Sequence, residues 1–99
     1  MNQYMVEFLL PAEMTEEFIA KIPMQRSKVN QMMQAGKLMT YSLAADRSKL
    51  WAVFKAENEY EVMKMIAEFP LKDHMEHTIV ELMFHNTVTA LKFPLYSLN

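Results

Sequence analysis

Three groups of side chains in this sequence are able to do chemistry. The first is Glu7, Glu81 and His85. Two carboxylates held close together split their titration, so one keeps a proton near neutral pH while the other stays ionised. With an imidazole nearby, such a pair can take a proton and return it. Glu7 and Glu81 stand at odd positions of two strand-like segments, so antiparallel pairing is expected to bring them together on one sheet face. Pairing with Lys49 or Lys55 is the plainer use of the same carboxylates. The second group is Gln25 and Arg26, set between Ile22 and Val29 on an apolar helical line. Facing them are Tyr4, Thr40 and Ser42, the polar members of an otherwise apolar strand face. A guanidinium with an amide and hydroxyls inside an apolar pocket suits a small carboxylate ligand. From the helix edge, Arg26 would instead extend into water. The third group is Asp73-His74-Met75-Glu76-His77, whose donors can ligate a divalent metal. It follows Pro70 and leads into a strand, so no helical spacing aligns the donors, and a solvated loop is expected. No glycine-rich phosphate loop and no G-x-S-x-G elbow is present. Neither a metal nor a cofactor is expected.

The elements that must position these residues read clearly. Residues 3–10 alternate, with Tyr4, Val6, Phe8 and Leu10 on one face and Met5, Glu7 and Leu9 on the other. Pro11 ends that strand, since it has no N–H for a ladder. Thr15 is the expected N-cap of a helix running to about Ala35, with Glu16 and Glu17 in its first turn and Gly36 closing it. Pro23 predicts either a kink or two abutting helices. Residues 37–44 and 49–56 form two strands joined by a polar turn at Ala45-Asp46-Arg47-Ser48. Asn58 with Glu61 three residues on resembles a capping box. Val62, Met65, Ile66 and Phe69 then mark a second helix, which Pro70 stops. Residues 77–85 form the last strand. The order is β-α-β-β-α-β, an α+β ferredoxin-like domain with a four-stranded antiparallel sheet over residues 1–86. Residues 87–99 keep Leu91, Phe93, Leu95, Tyr96 and Leu98, and are expected to pack as a tail on this or a partner subunit.

Composition narrows the function classes. The chain has 99 residues, 52% of them hydrophobic, with a net charge of −2. That is enough for one domain with a real core. The mild acidity and the absence of a basic stripe argue against nucleic acid. Without cysteine there is no disulfide and no thiolate nucleophile. No apolar run reaches the roughly 18 residues a membrane span requires. The sequence enters a strand at once, so a cleaved leader is not expected and a cytoplasmic location is. Eleven methionines suit pliable cavities and subunit contacts as well as ordinary core filling.

In this topology the first and third strands are central and the fourth lies beside the first. Even positions, from Tyr4 through Phe54 to Phe84, are expected to face the helices. The odd face carries Met5, Glu7, Leu9, Met39, Tyr41, Leu43, Trp51, Val53, Ile79, Glu81, Met83 and His85, and reads as about two-thirds apolar. A single soluble chain seldom leaves that much apolar surface open. A homodimer closing two such faces into a barrel-like core, or a higher homo-oligomer, is therefore expected.

The chain also resembles the muconolactone Δ-isomerase family over about residues 3 to 86. The matching residues are Leu10-Pro11 with Met14, Gln34 with Gly36, Val53-Phe54, Pro70-Leu71, and Met75, Ile79, Leu82 and His85. The resemblance implies a dimeric α+β barrel, sometimes in larger rings. It also implies cofactor-free isomerisation of a small unsaturated lactone carboxylate in aromatic catabolism, by proton removal and return. Family members carry an acidic and basic cluster where this chain has Met24, Gln25, Arg26 and Ser27, and Arg and His near the positions of Met39 and Thr40. On this reading Arg26 binds a substrate carboxylate in a pocket lined by Tyr4, Thr40 and Ser42, and His85 or Glu81 carries the proton. The alternative is a non-catalytic dimeric module for a hydrophobic small molecule or a protein partner.

Overall fold

The computed structural model describes residues 1–87; the expected apolar tail falls outside the described residues. The elements are β1 (Asn2–Leu9), α1 (Glu16–Gln34), β2 (Leu38–Leu43), β3 (Lys49–Ala56), α2 (Glu59–Ala67), a single 3-10 turn (Lys72–His74) and β4 (Glu76–Leu82). The sheet order is β2-β3-β1-β4, and each neighbouring pair is antiparallel. This is the expected ferredoxin-like arrangement. Both helices lie on one side of the sheet.

Local chemistry accounts for the boundaries. The Thr15 side chain accepts from the Phe18 N–H at 3.1 Å and starts α1. Gly36, at φ 76, closes it in a Schellman turn: Lys37 N–H donates to the Met32 carbonyl and Gly36 N–H to the Met33 carbonyl, both at 3.0 Å. Pro23 sits inside α1 without dividing it. Pro23 and Ile19 are exposed, so water can satisfy the carbonyl that the ring leaves unpaired. Asn58 caps α2 by accepting from Glu61 N–H at 2.9 Å. The Glu61 carboxylate reaches past the cap residue to the Glu57 N–H at 2.8 Å.

The core fills the space between helices and sheet. Tyr4, Val6 and Phe8 of β1 and Leu50, Ala52 and Phe54 of β3 pack under Phe18, Val29 and Met32 of α1 and Val62 and Ile66 of α2. The ring of Phe69, just past α2, lies 5.9 Å from Phe8 and 6.0 Å from Phe54.

Two register features depart from strict alternation. Between Leu38 and Thr40 the pairing of β2 with β3 shifts: Leu38 pairs with Phe54, but Thr40 already pairs with Val53. That bulge at Met39 reverses the parity of the rest of β2. Tyr41 and Leu43 turn toward the helices, while Thr40 and Ser42 turn away. In β4, Ile79 pairs with Val6 and Val80 with Met5. Ile79 and Glu81 thus share the helix-side face, and Val80 and Leu82 the open face, opposite to expectation. Adjacent Ile79 and Val80 fit either parity, so alternation alone could not choose. β4 also ends at Leu82, before His85.

Candidate functional site on the open sheet face

The face away from the helices is ordered in rows across the strands. Ser42, Trp51, Glu7 and Thr78 form one row; Thr40, Val53, Met5 and Val80 form the next. About half of this face is apolar, less than the odd positions suggested, because the two parity changes bring threonines and a serine onto it. Its centre is still protected: Val53 is 1% exposed, although it stands outside the helix-side core cluster.

Glu7 is fixed in the middle of this face. Its Oε1 accepts from the Trp51 indole N–H at 3.0 Å, and Lys49 Nζ lies 3.8 Å from its Oε2. The contact follows from the central pairing, which sets Glu7 directly opposite Trp51. Beside them is a concavity of about 440 Å³ lined by Met5, Glu7, Trp51, Thr78 and Val80. This volume is within the usual range for small-ligand sites. One carboxylate oxygen is held by a neutral donor while the other faces a cation, so the group is oriented yet keeps lone pairs free to accept a proton.

The other sequence-predicted acid–base residues do not join it. Glu81 pairs with Tyr4 on the helix-side face, so the expected Glu7–Glu81 pair does not form. The reason is the β4 parity, which puts Thr78 opposite Glu7. His85 lies past the end of β4, and its Nε2 is buried with no hydrogen-bond partner among the described residues.

The group predicted between helix and sheet is also rearranged. Gln25 is the helix residue that turns inward, at 3% exposure. Its amide donates to the Tyr41 hydroxyl at 3.1 Å, and its carbonyl accepts from the Leu71 N–H at 3.2 Å. Burial pushes the Tyr41 phenol above its usual range, and the bond from Gln25 offsets this in part. Arg26 is exposed on the outer side of α1, and Tyr4 is buried in the core. Thr40 and Ser42, moved by the bulge, share the open face with Glu7. In the third group, His74 meets the Phe18 ring edge-on at 5.6 Å and Lys21 Nζ at 3.3 Å. No cluster able to hold a metal occurs among the described residues.

Lys49 stands beside Glu7 as the plainer pairing expected; sequence reasoning missed Trp51 and Thr78 as neighbours of Glu7, and Tyr41 as the partner of Gln25. Trp51 was within reach, because the central pairing of residues 2–9 with 49–56 sets Glu7 against it. Thr78 and Tyr41 depended on register and carried no sequence signal.

A family model described as muconolactone delta-isomerase matches residues 3–87. The chain belongs to that family. No curated protein matches the chain in sequence. Among solved structures it is similar to the 5-chloro-2-hydroxyhydroquinone dehydrochlorinase TftG from Burkholderia phenoliruptrix AC1100, in complex with 2,5-dihydroxybenzoquinone. That likeness has a TM-score of 0.68 at 10% identity and covers 84% of this chain and 95% of TftG. A muconolactone isomerase is similar with a TM-score of 0.60 at 17% identity, over 87% of this chain and 93% of that one. MtbAldR matches with a TM-score of 0.56 at 18% identity, over 90% of this chain and 57% of its own. At these identities the structural likeness is one of fold; the family rests on the sequence match.

Proposed function

We propose that this protein is a small-molecule isomerase of aromatic catabolism that shifts a proton on an unsaturated lactone carboxylate, with Glu7 as the proton carrier. The observation that carries this reading is the Glu7 carboxylate, held by the Trp51 indole at 3.0 Å on the wall of the open-face concavity. Membership of the muconolactone delta-isomerase family supports the reaction class. The Glu7 Oε2 takes a proton from the ring carbon just beyond the far end of the double bond that is conjugated with the lactone carbonyl. The electrons shift along that double bond into a conjugated enolate, and the same oxygen returns the proton to the carbon next to the carbonyl. Lys49 offers the charge to hold the substrate carboxylate or the developing enolate oxygen. Thr78 and Ser42 supply hydroxyls at the two ends of the row.

The open face also suits closure by a second copy of the chain. Leu9 and Val80 are 45% and 54% exposed on it, and closure would shield the concavity from water. A homodimer is accordingly part of the proposal, and a metabolic role inside the cell goes with it. The test is turnover of muconolactone by the wild type and by Glu7→Gln. Wild-type activity that falls by two orders of magnitude or more in a folded Glu7→Gln variant supports the reading. No wild-type turnover, or full activity in the variant, refutes it; binding without turnover would favour the non-catalytic module.

A further inference from the structure

The β2–β3 hairpin holds a feature that the Glu7 site does not use. Arg47 has φ 64, a left-handed backbone conformation that glycine or asparagine adopts at less cost. The turn is firmly built: Arg47 N–H donates to the Ala44 carbonyl at 2.9 Å, and Asp46 Oδ1 accepts from both the Ser48 N–H at 2.9 Å and the Ser48 hydroxyl at 2.6 Å. Asp46 is therefore engaged with Ser48, and these bonds hold its carboxyl below its usual range. Arg47 is exposed and makes no ion pair among the described residues.

Arg47 borders an open hollow of about 410 Å³ between the hairpin and the β1–α1 connection, lined also by Leu10, Pro11, Ala12, Met14, Asp46 and Ser48. One wall is apolar, since Leu10 and Met14 pack on the core. The two loops are tied by Leu10 N–H donating to the Ser48 carbonyl at 3.0 Å, so the hollow keeps its shape without a ligand. An arginine without an ion pair among the described residues, on the rim of a hollow with one apolar wall, matches a flat molecule with an anionic end. Asp46 on the same rim disfavours a second negative charge.

We propose that this hollow binds a small planar monocarboxylate, with its carboxylate on Arg47 and its apolar body against Leu10, Pro11 and Met14. The site is separate from Glu7 and does not depend on the isomerase reading. Benzoate is the probe, benzamide its uncharged counterpart and inorganic phosphate the compact anion. Binding is followed through the Met14 methyl and Leu10 amide resonances of the full chain. Benzoate is expected to shift both; benzamide and phosphate are expected to leave them unmoved. Arg47→Gly removes the charge and suits the backbone better, so it folds, and it should weaken benzoate binding at least tenfold. Arg47→Lys should retain part of the affinity. Absence of a benzoate shift in the wild type, equal binding by Arg47→Gly, or phosphate or benzamide binding as well as benzoate would each overturn the proposal.

Discussion

Replacing Gln25 with leucine tests whether the one buried polar side chain among the described residues is structural. Both ends of its amide are in use, on the Leu71 N–H at 3.2 Å and the Tyr41 hydroxyl at 3.1 Å. Leucine is close in size and leaves the core filled, so the main effect is on the partners. Leu71 is 5% exposed, so water cannot easily reach its N–H, and such an orphan costs about 1–3 kcal/mol. Tyr41 is only partly buried and recovers some hydration. Allowing for the apolar gain of leucine, Gln25→Leu should cost about 2 kcal/mol. At about 4–8 °C per kcal/mol for a domain of this size, Tm should fall by roughly 10 °C. Urea unfolding at fixed protein concentration measures it, with the slope unchanged. Adding Tyr41→Phe in the leucine background should cost about 1 kcal/mol less than in the wild type, because the bond it breaks is already gone. A Gln25→Leu variant within about 0.5 kcal/mol of wild type would refute the argument that an unpaired buried N–H decides the cost.

Thr15→Ala removes the α1 cap and should destabilise the protein by about 1 kcal/mol in the same urea assay. Asp46 has a depressed carboxyl in the folded state, so its contribution is present at neutral pH and is lost as pH falls through its folded value. The stability gap between wild type and Asp46→Ala should therefore be full at pH 7 and shrink below about pH 4, the unfolded carboxyl's range. A gap that widens on acidification would contradict this. Trp51→Phe removes the donor that orients Glu7 while keeping an aromatic body. It should lower kcat on the order of 10- to 100-fold with the fold intact by circular dichroism.

Much of the architecture was legible because local signals agreed. Pro11, Gly36 and Pro70 punctuate the chain, Thr15 and Asn58 cap where they stand, and the central strands alternate cleanly. Tyr4, Val6 and Phe8 with Leu50, Ala52 and Phe54 gave the helix-side face directly. The candidate site was less legible because it depends on register. A single bulge at Met39 exchanges Tyr41 for Thr40 and Ser42 across the sheet. At β4, adjacent apolar residues leave parity to tertiary packing, and that choice separates Glu81 from Glu7. Arg26 and Gln25 are neighbours on one helix turn, and only packing decides which is turned in. Glu7 itself was identifiable, as an acid in the middle of a central strand on the face the helices do not cover.

The central claim is that the face bearing Glu7 and Trp51 is the working face and that a second copy closes it. Trp51 is the only tryptophan, so its emission, followed together with sedimentation through a dilution series, observes that face without a label. The account predicts a dimer with blue-shifted emission that moves to the red as the dimer separates. A monomer at every concentration, or a dimer that forms with no change at Trp51, would contradict it.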